Sequence, residues 1–316
     1  MGTPKSSSLL SERSEDLMKR PLISVVVPAY GHEEFIERCL RSIWEQDYDN
    51  IEVIVLDDRS KDRTFHVAKR FLGNEEVRSK FRRVVCERNH KNVGAHETLN
   101  RGIAMATGEY VSLINSDDTY YPGRLSRLLE ELRRTGSRLA FSAVRCIDDE
   151  DHVAYGLDAD SIPISAARRA RDNLPSQSFG FLRYQQAIST GNLFFERTLF
   201  EEIGGFIPLK YCHDWDFTLQ AVVRTEPVYV DEVLYGYRLH GRNSFRALSD
   251  QAAIETEVVL TRYFKTILLM RAPNRLAPTP YNWPEVFSTF TRVLGVRHFW
   301  HSASHQTSVG SRVYER

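Results

Sequence analysis

The stretch that most restricts what this chain can become is Glu109-Tyr-Val-Ser-Leu-Ile-Asn-Ser-Asp-Asp118, a short apolar run that ends abruptly in a polar residue and two carboxylates. Such a run reads as a buried strand delivering charge to a surface crevice. Adjacent aspartates at that edge can hold a divalent cation through oxygen ligands, and the cation can take a phosphate oxygen as a further ligand.

The segments before it repeat the same design. Leu22-Ile-Ser-Val-Val-Val27 is a β-branched run stopped by Pro28, and Ile51-Glu-Val-Ile-Val-Leu56 is another, ending in Asp57-Asp58-Arg59-Ser60. Arg83-Val-Val-Cys86 is a weaker strand before the polar loop Glu87 to Gly94. Between them lie helical patterns: Phe35, Ile36, Cys39, Leu40, Ile43 and Trp44 form one apolar stripe, Thr64 to Leu72 stops at Gly73, and Ala95 to Ala106 stops at Gly108. This β-α alternation predicts an α/β fold with a mostly parallel central sheet and helices on both faces. Ligands of such sheets bind outside the carboxyl ends of the strands, so Pro28 to Tyr30, Asp57 and Asp58, Asn89 to Gly94, and Asn115 to Asp118 should converge on one crevice.

Further on, Leu125, Leu128, Leu129 and Leu132 mark a helix and Leu139 to Val144 a strand. The pattern dissolves from Ile147 to Pro175, where Arg168, Arg169 and Arg171 read most simply as a solvated helix face. It returns at Gly191-Asn-Leu-Phe-Phe195, a strand, followed by a short helix ending at Gly204-Gly205. A helix opens at Tyr211 to Leu219 with acids in its first turn, and Val228 to Val230 and Leu234 to Leu239 read as short strands. The boundaries expected are a loose tail over 1–20, one α/β domain over 21–250, and a helical or irregular extension over 251–316.

Composition removes several function classes. Forty-two basic residues balance forty-two acidic ones, so no global field favours nucleic acid or anionic lipid. The four cysteines, Cys39, Cys86, Cys146 and Cys212, lie far apart and suggest buried thiols in a reducing compartment. No window reaches the roughly 20 apolar residues of a membrane span. The setting expected is therefore the cytoplasm, with peripheral association at the membrane face left open.

With these segments in place the chain resembles the family 2 glycosyltransferases, nucleotide-sugar transferases of the GT-A fold. The matching residues run in order: Val25-Val-Val-Pro-Ala-Tyr30, Glu52-Val-Ile-Val-Leu-Asp-Asp-Arg-Ser60, Asn92-Val-Gly94, Leu99-Asn-Arg-Gly102 and Ala106-Thr-Gly-Glu-Tyr110. Asn115-Ser-Asp-Asp118, Gly204-Gly-Phe206, His213-Asp-Trp-Asp216 and Tyr237-Arg-Leu-His240 complete the series.

The resemblance implies a donor site built from Pro28, Ala29, Tyr30, Asp57, Asp58, Asn92, Gly94, Asn100, Ser116 and Asp117. In it Asp58 accepts hydrogen bonds from the base, an aromatic ring packs on that base, and Asp117 lies near the ribose or the water shell of a metal. It implies Asp118 as ligand to Mn or Mg, with His240 beside the diphosphate. Asp214 would be the general base that takes the proton of an attacking acceptor hydroxyl in an inverting displacement. Each has a plainer alternative: Asp57 or Asp58 as a helix cap, His240 as a structural residue, and Asp214 as a first-turn acid answering the macrodipole. Asp62 reads as a cap and Asp216 as the likelier macrodipole partner.

Partners implied are a nucleotide-sugar donor, most simply UDP-linked, and a saccharide or lipid-linked saccharide acceptor. The chain departs from the common family pattern at Gly31-His32, where many relatives carry Asn or an acid, and at Thr98-Leu99-Asn100, which lacks a usual arginine. Arg88, Lys91 or Arg101 could replace that cation near the phosphates. His298, His301 and His305 would share one helix face but have no fourth ligand for zinc. Two other classes compete: a non-catalytic sugar-nucleotide-binding module, which need not keep Asp214, and a phospho-receiver-like domain, which would not explain the half after Gly191.

Overall fold

Alternation along the first strands settles the layering. The computed structural model describes residues 20–154, 174–241, 249–301 and 303–304. In β1 (Ile23–Ala29) and β2 (Ile51–Asp57) successive residues point to opposite faces. Ile23, Val25, Val27, Ile51, Val53 and Val55 enter one apolar cluster, while Val26 and Ile54 enter another. Both faces must then be covered. The first is covered by α1 (Ile36–Trp44) and α2 (Thr64–Gly73), which contribute Ile36, Cys39, Ala68 and Phe71.

The chain continues through α3 (Glu75–Lys80), a turn of helix capped by Asn74 that sequence patterning did not predict, into β3 (Arg83–Arg88) and α4 (Ala95–Ala104). β4 (Tyr110–Leu113) and the two-residue β5 (Thr119–Tyr120) flank the acidic stretch. Then come α5 (Arg124–Thr135), β6 (Leu139–Ile147), α6 (Gln177–Phe181), a 3-10 turn at Thr190–Asn192, β7 (Phe194–Glu196), α7 (Arg197–Ile203) and α8 (His213–Val222). β8 (Val228–Arg238) is one strand where two short ones were expected, with its register shifted opposite Ser142 to Val144. α9 (Ser249–Leu269) and α10 (Pro284–Val293) follow.

The strands form a sheet in the order β3-β2-β1-β4-β7-β6-β8-β5. β1 lies parallel between β2 and β4, β2 is parallel to β3, and β7 enters antiparallel between β4 and β6. This is the mixed α/β GT-A arrangement expected. At the opposite edge from the crevice the fully buried Glu52 accepts Ser24 Oγ at 2.5 Å, Thr107 N at 2.5 Å and Gly108 N at 3.1 Å, and pairs with Arg83 at 2.9 Å. Gly108 is required there because a Cβ would meet the carbonyl of Leu22 at 2.6 Å. The Ala106-Thr-Gly-Glu-Tyr110 motif therefore serves the sheet rather than the ligand.

The described part of the C-terminal extension packs against the sheet. Val259, Tyr263, Phe264 and Ile267 of α9 and Phe287 of α10 are buried in the same cluster as Val26, Val111 and Leu113. They cover the sheet's second face together with α4 and α8, which supply Leu99, Ile103, Phe217 and Leu219. Cys39, Cys146 and Cys212 are buried and Cys86 half-buried, all unpaired, with burial pushing each thiol up. Among the described residues no helix is long and apolar enough to cross a membrane. The tail over 1–19, the basic run Arg168, Arg169 and Arg171, and His305 lie outside the described residues.

Candidate active site

The carboxyl ends of β1, β2 and β3 are level, since Ala29 pairs with Asp57 and Asp57 with Arg88, while β4 stops short, with Leu113 opposite Val26, and its chain continues toward the same edge as the Asn115–Asp118 turn. The polar residues that follow each strand therefore gather at one edge. Asp57 is fully buried; its Oδ2 accepts the Ser60 amide at 3.0 Å and pairs with Arg88 Nε at 2.9 Å. It closes the turn after β2, the cap-like alternative. Asp62 accepts the Thr64 amide at 3.0 Å, as a cap for α2 should.

Asp58 does more than await a base. Its Oδ1 accepts Asn89 Nδ2 and the Val93 amide, and its Oδ2 accepts the Gly94 amide, each at 2.8 Å. Its carbonyl takes Asn92 Nδ2 at 3.1 Å. A carboxylate offers about four lone-pair directions, so this one shapes the Asn89–Gly94 loop and retains an acceptor site on Oδ2. Ala29 is buried and receives the Asp58 amide at 2.8 Å, Pro28 is half-buried, and Tyr30 is 45% exposed, as a ring that stacks on a ligand must be.

Two of the three expected replacement cations are otherwise engaged. Arg88 serves Asp57 and the Ser60 carbonyl, and Arg101 donates to Asn89 Oδ1; Lys91 is exposed. Asn100 bonds the backbone of Phe206 in both directions, at 2.8 and 2.9 Å, and so ties α4 to the Gly204–Phe206 turn. Its side chain is therefore spent on holding that turn.

At the end of β4 the two acids have different surroundings. Asp118 Oδ2 receives the Tyr235 hydroxyl at 2.5 Å and Asn115 Nδ2 at 3.2 Å, while Oδ1 receives the Arg238 amide at 2.9 Å. β5 pairs with Tyr235 and Gly236 of β8, which is why Asp118 faces that strand. Burial first, then the charge of Asp117, pushes the Asp118 carboxyl well above the usual range. Asp117 Oδ2 lies 2.9 Å from His240 Nε2 and 3.7 Å from His32 Nε2. Burial opposes its charge, but His32 and His240 outweigh that and hold the carboxyl below the usual range.

The atoms able to bind a cation thus converge on His32, Asp117 and His240, all within 4.8 Å of one another. Asp118, the expected ligand, stands behind them with its oxygens hydrogen-bonded. Ser116 is buried with its hydroxyl 2.8 Å from His32 Nδ1. Arg238 is fully buried and donates to the carbonyls of Asp117 and Asp148 and to Asp151, which fixes the backbone of the acidic turn.

Asp214 sits in the first turn of α8, 9% exposed, with Oδ1 on the Trp215 amide at 2.7 Å and Oδ2 accepting Thr190 Oγ1 at 3.0 Å. The preceding residue, Ser189, places its hydroxyl 3.0 Å from Asn115 Nδ2 and 3.5 Å from Asp118 Oδ2. Two consecutive residues therefore join the Asp118 side of the crevice to Asp214. Gly191 permits it: a Cβ there would lie 2.0 Å from Tyr235 Oη and 2.7 Å from the Asn115 nitrogen. Asp216 does not answer a macrodipole at the surface but is fully buried against Arg262 of α9. Burial pushes it up to about 6, against the pull of Arg262.

Sequence reasoning did not assign His32, Ser189, Thr190, Tyr235 or Glu255 to the site. His32 was visible as a departure from pattern; the others carried no signal. Glu255 of α9 accepts the backbone amides of Lys210, Tyr211 and Cys212, each at 2.8 Å, immediately before α8. His298 and His301 gather no third ligand among the described residues.

A model of glycosyl transferase family 2 matches residues 24–204. An uncharacterized glycosyltransferase of Rickettsia typhi is 29% identical over 251 residues, 78% of this chain and 73% of the relative. Among solved structures, mannosyltransferase PcManGT from Pyrobaculum calidifontis in complex with GDP-Man and Mn2+ aligns with a TM-score of 0.59 at 19% identity, covering 96% of this chain and 82% of that one. S. aureus TarS in complex with UDP-GlcNAc aligns at 0.57 and 18% identity, covering 89% and 79%.

Proposed function

The chain belongs to glycosyl transferase family 2 and is a glycosyltransferase, and from that premise we propose an inverting transfer from a nucleoside diphosphate sugar, UDP-linked, to a hydroxyl of a saccharide, free or lipid-linked. The observation that carries this reading is the Ser189–Thr190 bridge. It holds Asp214 on one side and the Asn115–Asp118 turn on the other, so a general base and a diphosphate-binding turn face one crevice.

The nucleoside is assigned to the β1 and β2 ends. Tyr30 offers a ring face, and Asp58 holds the Asn89–Gly94 loop while keeping an acceptor site at Oδ2. The diphosphate is assigned to Ser116, Asp117 and His240. A divalent cation bound by Asp117 and His240, Mn2+ or Mg2+, would supply positive charge to the departing nucleoside diphosphate; the 2.9 Å approach of a carboxylate oxygen to an imidazole nitrogen fits that donor set.

On the acceptor side Asp214 takes the proton of the attacking hydroxyl as the new carbon–oxygen bond forms and the bond to the diphosphate oxygen breaks. Thr190 fixes the orientation of that carboxylate by donating to Oδ2, and burial limits competing water.

The test is a panel of nucleotide sugars with and without Mn2+, read by nucleotide release and by calorimetric binding of UDP. Asp214→Asn is expected to lower transfer by about 10²–10⁴-fold while leaving UDP affinity within about twofold. Undiminished transfer by Asp214→Asn would remove it as the base, and an unfolding curve of the variant separates loss of fold from loss of chemistry.

A further inference from the structure

The chain departs from the common family pattern at Gly31-His32, and the structure turns the His32 imidazole toward the acids. We propose that His32 is a metal ligand: with Asp117 and His240 it forms a face of two imidazoles and one carboxylate that selects a cation of the Mn-to-Zn series over Mg2+. The inference rests on the reading that a cation serves the diphosphate end of the crevice.

Geometry carries it. Ligands in adjacent positions around a cation at about 2.1 Å are separated by roughly 3.0–3.5 Å. Asp117 Oδ2 lies 2.9 Å from His240 Nε2 and 3.7 Å from His32 Nε2, which brackets that span. The longer separation exceeds a hydrogen bond, so without a cation His32 meets Asp117 only through charge.

The surroundings orient both rings for the task. Ser116 Oγ lies 2.8 Å from His32 Nδ1, and a ligating histidine donates its other ring N–H to such a partner, which leaves the Nε2 lone pair toward Asp117. Phe35 stacks on the His240 ring at 5.2 Å and lies 6.2 Å from the His32 ring. Three ligands on one side leave positions open for diphosphate oxygens.

The chemistry of the donors sets the selectivity. Mg2+ prefers oxygen ligands in a strict octahedron, whereas imidazole favours the transition metals in the order Mn2+ below Co2+ and Zn2+. A second imidazole beside His240 therefore moves the site away from Mg2+. The occupants of the Asp118 oxygens, Tyr235 and the Arg238 amide, leave the ligand role to its neighbour.

The test uses the full chain without nucleotide. Mn2+ binding is measured by electron paramagnetic resonance, ligand nitrogens are counted by spin-echo modulation, and Mg2+, Co2+ and Zn2+ are titrated in competition. The wild type should show modulation from two imidazoles and hold Mn2+ at least about tenfold more tightly than His32→Asn; Ser116→Ala should weaken it by about tenfold. His32→Asp should narrow the preference for Mn2+ over Mg2+. A single-imidazole signal in the wild type, or equal Mn2+ affinity and modulation in a folded His32→Asn, overturns the proposal while leaving the functional reading intact. If the wild type binds no cation and transfer persists in chelator, the cation part of that reading fails with it.

Discussion

The extension that sequence patterning left least defined holds the segment that carries the proposed base, and Glu255→Ala tests this. The Glu255 carboxylate is 6% exposed and accepts three consecutive backbone amides, Lys210 to Cys212, from the turn that leads into α8. Cys212, the residue before that helix, makes no side-chain cap bond of its own. A remote carboxylate therefore does what a local N-cap ordinarily does. A buried amide left without its acceptor costs about 1–3 kcal/mol. Lys210 is exposed and its amide can turn to water, whereas Cys212 is buried, so the total should be about 2–4 kcal/mol rather than the full threefold sum. Asp214 is two residues further on, and a displacement of about 1 Å can cost about 10²-fold in rate. Urea unfolding and steady-state kinetics check both numbers: reduced stability, kcat down by about 10–100-fold, and donor affinity unchanged because no donor residue is touched. Glu255→Gln, which keeps one acceptor oxygen, should fall between. If Glu255→Ala lost donor affinity while keeping kcat, or lost neither stability nor rate, the positioning argument would be refuted.

Two further outcomes follow from buried contacts. Gly191→Ala should lower both stability and transfer because its Cβ would lie 2.0 Å from Tyr235 Oη, and Tyr235→Phe added to it should restore part of the loss, measured by thermal melting and nucleotide release. The double variant melting below Gly191→Ala would show that the hydroxyl contact is not the obstacle. Asp216 has its carboxyl pushed by burial up to about 6 from an ordinary 3.8. Because the folded value is raised, its contribution is most favourable below about pH 4 and declines as pH rises through about 6. Asp216→Asn should therefore gain about 2 kcal/mol relative to the wild type between about pH 4.5 and about pH 8 in urea melts; an offset that does not change with pH refutes the assignment.

The parallel half of the fold was legible because its strands are buried on both faces and interrupted by turn residues. Runs such as Ile51–Leu56 are short and rich in β-branched residues, which favours strand over helix. The misses are where local pattern and tertiary pairing disagree. β5 has only Thr119 and Tyr120, too short for any periodicity, and exists because β8 offers Tyr235 and Gly236 opposite. β8 itself looked like two strands because the exposed Asp231 and Glu232 break the apolar run, although the backbone continues to pair with β6 through a shift in register. The extension showed helical patterning without a partner, since what its apolar stripe covers, α8 and the sheet face, is set far earlier in the chain.

The site was legible in the acids and illegible in what aims them. Asp57, Asp58, Asp117 and Asp118 stood out at strand ends, where a buried carboxylate is costly without a partner or a ligand, and Asp214 was singled out by the family resemblance. Their division of labour was not found, because it depends on which side of a turn each carboxylate faces. Asp58 bonds the Asn89–Gly94 loop and Asp57 faces Arg88; Asp117 faces two imidazoles and Asp118 a tyrosine hydroxyl. A one-residue change of direction exchanges those roles, as it does along any strand. In this chain it turns Asp117 rather than Asp118 toward the two imidazoles, and on the proposal made above His32 would set the metal preference.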